Sequence, residues 1–103
     1  MSKYGLFGEL IAQPGQRDAL AAVLLEAAEM LRDAPGCEQY IVSVSASDPD
    51  AVWVSEVWSS REDHAASLAR EDVRALIGRG RPLIAGTGER FEVVPLGGHG
   101  LAE

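Results

Sequence analysis

The strand-forming segments of this chain are apolar on both faces, and this limits the folds open to it. The third such segment, Ala51 to Trp58, places Val52, Val54, Glu56 and Trp58 on one face and Trp53, Ser55 and Val57 on the other. The first, Tyr4 to Ala12, sets Tyr4, Leu6 and Leu10 against Phe7 and Ile11. The second, Cys37 to Ala46, sets Tyr40, Val42 and Val44 against Ile41. A sheet covered by helices on one side only should alternate apolar with polar residues. These strands need cover on both sides.

Helical cover comes from two stretches. Pro14-Gly15 breaks the first strand. From Gln16 to Asp33, Leu20, Val23, Leu24, Ala27, Ala28 and Leu31 recur at three- and four-residue spacing, which predicts one apolar helical face. Pro35-Gly36 ends that helix. Ser47-Asp48-Pro49-Asp50 turns strand two into strand three. Ser59 or Ser60 caps the next helix, with Glu62 and Asp63 each three residues on. That helix runs to about Arg70 and resumes near Asp72 with Val73, Leu76 and Ile77 inward. Pro82 kinks or restarts it, and Thr87 to Pro95 is strand four. The order β-α-β-β-α-β predicts an α+β, ferredoxin-like domain with a four-stranded antiparallel sheet and both helices on one face. Residues 1–96 form that domain and 97–103 a glycine-rich tail.

Two helices cover one face. The simplest cover for the other is a second copy of the chain about a two-fold axis. With 103 residues there is one domain, burying only roughly two-thirds of its unfolded surface, so pairing would help. Between strands and helices such a sheet leaves room for an apolar cavity with a few polar groups, the usual form of a small-molecule site.

Charge narrows the partners. The net charge of −7 disfavours nucleic acid and anionic membrane surfaces. RNA-recognition modules share the element order but carry basic and aromatic residues on central strands; Ala51 to Trp58 has no basic residue. The single cysteine, Cys37, makes neither an internal disulfide nor a zinc site. The start of the chain has no basic, then apolar, leader, and no apolar run approaches ~20 residues. A cytoplasmic location is expected.

Glu56-Val57-Trp58-Ser59-Ser60-Arg61-Glu62-Asp63-His64 resembles the strand end and helix start of the antibiotic biosynthesis monooxygenase family. Pro35-Gly36-Cys37, Val73-Arg74-Ala75-Leu76-Ile77, Arg81-Pro82-Leu83-Ile84-Ala85-Gly86 and the tail Pro95-Leu96-Gly97-Gly98-His99-Gly100-Leu101 extend the resemblance over nearly the whole chain. It implies a dimeric α+β barrel. It also implies kinship with oxygenases that need neither metal nor flavin and oxidise electron-rich aromatics such as anthrones and quinols. Two departures stand out. The chain has no asparagine, and Val54 occupies the position of a functional asparagine in polyketide oxygenases of the family. Many relatives also carry a histidine about three residues beyond His64, where Ser67 or Leu68 stands here. That displacement counts against haem binding and degradation, another activity in the family.

Oxygenation without a cofactor requires a group that takes a proton, a surface that holds the ring and a pocket that excludes water. His64 fits the first need, with an ordinary pKa near ~6.5. Its other reading is a surface histidine in a first helical turn. Trp58 fits the second, as wall of a flat pocket, against the reading of core packing. Glu56 is expected to orient His64 or an arginine, to bind a substrate hydroxyl, or to form a salt bridge; a buried carboxylate needs such a partner. Tyr40, Phe7 and Val54 are expected to line the pocket. Arg81, with Arg79, is placed to stabilise an anion or to face water at a helix end. Trp53 is expected under a helix, Cys37 at a buried strand start, and His99 near a partner's cavity. The resulting expectation is a homodimeric, cofactor-independent monooxygenase of a phenol, anthrone or quinol; the alternative is a non-catalytic ligand-binding or interaction dimer.

Overall fold

The computed structural model of the chain describes residues 2–101. The strands are β1 (Tyr4–Ala12), β2 (Cys37–Val44), β3 (Ala51–Trp58) and β4 (Ile84–Val93). The helices are α1 (Arg17–Met30), α2 (Arg61–Leu68) and α3 (Glu71–Gly80), with a 3-10 turn at Arg81–Leu83. All pairings are antiparallel, in the order β2-β3-β1-β4. This is the expected α+β ferredoxin-like domain, and the helices lie against one face. None of the described helices is long and apolar enough to cross a membrane.

Some boundaries move for local reasons. The first helix ends at Met30, and Leu31 to Asp33 form turns. Strand four starts three residues earlier than the sequence suggests, because the Pro82 turn delivers Ile84 directly opposite Ala12. Ser60 is the cap of α2: its side chain accepts the Asp63 N–H at 3.1 Å. Gly36 has φ +80°, and a side chain there would strike the Asp63 carboxylate, so glycine is required between α1 and β2.

Register decides which residues meet. On the helix side, three rows run across the sheet: Tyr40–Glu56–Leu6–Glu92, Val42–Val54–Gly8–Arg90 and Val44–Val52–Leu10–Thr87. Leu6 and Trp58 are buried there with Leu31 and Val73, and Val52 with Leu20; Val54 and Leu76 are buried as well. The core divides into two clusters, one around Trp58, Tyr4 and Val73 and one around Leu20, Val52 and Ala12.

Trp53 therefore does not pack under a helix, as expected from the sequence. It shares the helix-free face with Ser43 and Glu9. The face that ends in Glu56 and Trp58 is the helix-covered one. The other face keeps its apolar residues in the open: Phe7, Ile41 and Phe91 lie in one row and are 42%, 50% and 47% exposed. The tail returns from β4 to the opposite edge, where Gln39 Nε2 donates to the Gly100 carbonyl at 2.8 Å.

Candidate active site

The helix layer does not close completely on the sheet. A cavity of about 280 Å³ remains, walled by Leu10 below, by Val23, Leu24 and Ala27 of α1, and by Leu76 and Ile77 of α3. The apolar stripe of α1 is thus only half-buried because it faces empty space. Glu56, Tyr40, His64 and Ser67 supply the polar lining. A second space of about 310 Å³ shares Leu10, Leu24, Tyr40 and Glu56 with the first and extends toward β4 over Gly8, Val54, Thr87 and Arg90. The shared residues make the two spaces neighbouring chambers.

Glu56 is the polar centre. Trp58 Nε1–H donates to Glu56 Oε1 at 3.0 Å. His64 Nε2 lies 3.8 Å from the same oxygen, beyond direct hydrogen-bond reach but within ion-pair distance. Burial raises the Glu56 carboxyl above its ordinary value, opposed by the Trp58 N–H and the charge of Arg90. Burial also lowers His64, helped by Arg90 and Arg61 and opposed by Glu92. The two groups are thus pushed toward each other in proton affinity.

His64 is held by its neighbours. It sits one turn into α2, directed by the Ser60 cap. Its ring lies 5.2 Å from that of Tyr4 and meets that of Trp58 edge-on at 5.6 Å. Tyr4 is fixed in turn: its hydroxyl donates to Glu92 Oε2 at 2.5 Å, and Arg61 donates to the same oxygen at 2.9 Å. Ser67 spends its hydroxyl on the His64 carbonyl at 2.6 Å. Tyr40 differs, since its hydroxyl has no hydrogen-bond partner among the described residues. Burial first, and then the Glu56 charge, hold that phenol above its ordinary range, so it stays an O–H donor.

The structure brings together Glu56, His64, Tyr40 and Val54 among the residues singled out from the sequence. Trp58 joins them in another role: it is fully buried and does not wall the cavity, but its N–H fixes Glu56. Phe7 points away, because its register with Ser55 and Phe91 puts it on the helix-free face. Arg81 is exposed in the 3-10 turn and lines neither chamber, and Arg79 pairs with Glu26 at 3.1 Å between α3 and α1. Arg90 was not foreseen. It follows Gly88-Glu89 at the edge of the sheet and reads as solvent charge; only its pairing with Gly8 turns it to the helix side.

Among the described residues no three His, Cys, Asp or Glu side chains gather as metal ligands. The model of the family described as antibiotic biosynthesis monooxygenase matches residues 4–79. A Chloroflexus aurantiacus J-10-fl protein, provisionally named for the same family, is 51% identical over 98% of this chain and 100% of its own, with a TM-score of 0.90. Proteins from Pseudomonas aeruginosa (18% identity, 94% and 97% coverage, TM-score 0.82) and Mycobacterium tuberculosis (20%, 95% and 99%, 0.80) share the fold. No curated protein matches the chain.

Proposed function

The chain belongs to the antibiotic biosynthesis monooxygenase family, and on that premise we propose that it oxidises a small electron-rich aromatic of the phenol, anthrone or quinol type with O2, as a homodimer and without a cofactor. The observation that carries this reading is the Glu56–His64 pair at the polar end of an otherwise apolar cavity. An apolar chamber takes the ring system and excludes water, and the pair takes the proton.

The geometry supports the following roles. Neutral His64, or ionised Glu56, removes the acidic proton of the substrate. Tyr40 donates its free hydroxyl to the oxygen that gains charge. The resulting anion gives one electron to O2, and the radical pair combines to a peroxide. The peroxide then loses water with return of the proton. For an anthrone-type CH2 group the sum is one O2 consumed, one C=O formed and one H2O released. Trp58 and Tyr4 are positioning residues: one fixes Glu56, the other the ring of His64. Phe7 and Arg81 take no part in this arrangement.

The test is oxygen uptake by purified protein with chelator present, over a panel of anthrones, naphthols and quinols. Uptake matched one-to-one by product supports the reading. A folded dimer that consumes no oxygen above the blank on any of them rejects it. One observation favours a second reading, a ligand-binding protein without turnover: the asparagine that polyketide oxygenases of the family carry four residues before the tryptophan is replaced here by Val54, which lines the second chamber. Tight binding of the same aromatics with no uptake would decide for it.

A further inference from the structure

Nine lysines and arginines stand against sixteen acids in this sequence, so an unpaired cation is informative. Lys3, Arg17, Arg32, Arg61, Arg70 and Arg79 each have a carboxylate within 4 Å. Arg74, Arg81 and Arg90 have none among the described residues. Of these three, Arg90 lines the second chamber and the other two line neither.

Its placement is set by the fold. Arg90 pairs with Gly8, and Gly8 with Val54, in one row on the helix side. Gly8 has no side chain, and a Cβ added there would meet nothing within 4 Å. Open space thus separates the arginine from Val54 and leads to Glu56 and Tyr40. Three carboxylates, Glu9, Glu56 and Glu89, line the same chamber, and none of them lies within 4 Å of the guanidinium. Glu9 accepts the Glu89 backbone N–H at 3.3 Å, and Glu56 accepts from Trp58. Glu89 is exposed on the edge strand. The charge of Arg90 nevertheless reaches the reaction centre, where it acts on both Glu56 and His64.

We propose that Arg90 is the specificity-determining residue of the second chamber, selecting aromatic ligands that carry an anionic oxygen and holding that oxygen beside the Tyr40 hydroxyl. This rests on the cavity being a ligand site and is independent of whether O2 reacts there. A guanidinium offers a planar fork of donors suited to a carboxylate or a phenolate. Part of its charge is screened at an exposed site, but the apolar floor of Leu10, Leu24 and Val54 strengthens what remains. A ring system in the first chamber with its acidic oxygen in the second would span the two.

Calorimetric titration tests this with two probes of equal shape, 2-naphthoate and neutral 2-naphthamide, at pH 7.5. The wild-type protein should bind 2-naphthoate at least tenfold more tightly. Arg90→Gln should erase that preference, weakening 2-naphthoate about tenfold and changing 2-naphthamide less than twofold; Arg90→Lys should fall between. Arg90 is exposed at a sheet edge, so the variants should melt within a few degrees of wild type. A third probe, 2-naphthol, separates the two oxygen types: a lowered ionisation pH on the wild-type protein, reversed in Arg90→Gln, extends the role from carboxylate to phenolate. Equal binding of 2-naphthoate and 2-naphthamide, or equal weakening of both by Arg90→Gln, overturns the role of Arg90 alone. Binding of none of the probes removes the ligand cavity and the proposal with it.

Discussion

Glu56 takes a carboxylate into the interior with one strong donor, the Trp58 N–H, to receive it. Its raised proton affinity has a sign that can be followed in solution. The folded state holds that proton to higher pH than the unfolded chain, so stability declines as pH rises above the ordinary carboxylate range. His64 works on the other side: its lowered affinity means that the folded state binds fewer protons just below pH ~6.5, and acidification through that window also costs stability. Urea titrations should therefore show Glu56→Gln gaining on wild type as pH rises above the ordinary carboxylate range, and His64→Gln losing the acid-side decline. In the oxygen-uptake assay, either substitution should lower the rate by about 10²-fold or more, the usual contribution of a positioned base. The acid limb of the wild-type rate should lie below pH ~6.5. The chemistry at this scale was partly legible. Glu56 and His64 announce themselves as charge beside an apolar strand. Arg90 does not, because nothing in Gly88-Glu89-Arg90 shows which face it will take until the bulged register with β1 is known.

Among the elements, α2 matters most to the site because it carries His64. It has only eight residues and a weakly apolar face, so its direction depends on its start. Ser60→Ala should cost about 1 kcal/mol, the common value of an N-cap. It should also reduce oxygen uptake more than it reduces ligand binding, because the imidazole moves while the apolar chamber stays. Gly36→Ala should cost more, through both the left-handed φ and the collision with Asp63. Thermal or urea unfolding would rank the two. The strands, the α1 stripe, a serine cap at Ser59 or Ser60 and the break between α2 and α3 were all readable, since each rests on local spacing. Which face of β3 the helices would cover was not. Val52, Val54 and Trp58 compete with Trp53 and Val57 at almost equal hydrophobicity, and only long-range packing against Leu20, Leu31 and Val73 decides between them.

At the scale of the whole molecule, Ile41, Phe7 and Phe91 stand exposed in one row of the helix-free face. Exposed large apolar side chains grouped on one sheet face, here with Ser55 between Ile41 and Phe7, are characteristic of an interface. Joined through it, two copies would cover each other's sheets and leave both cavities on the outer, helical sides. Phe7→Glu combined with Ile41→Glu should convert a dimer seen by sedimentation into a monomer of lower melting temperature. Persistence of the dimer would place the contact elsewhere. The need for such cover was visible in strands apolar on both faces, even though the sequence suggested the wrong pair of faces for Trp53 and Trp58.

Gly8 carries a further consequence. It lies between Arg90 and Val54 with free space above it and an ordinary backbone conformation. Related chains can therefore diverge at this point by replacing one residue: an alanine Cβ would meet no neighbouring atom, and larger side chains would fill the floor in steps. Ligand range in such a lineage would drift through one position that folding leaves unconstrained, whereas the residues around Glu56 would be held fast by the charge they must satisfy.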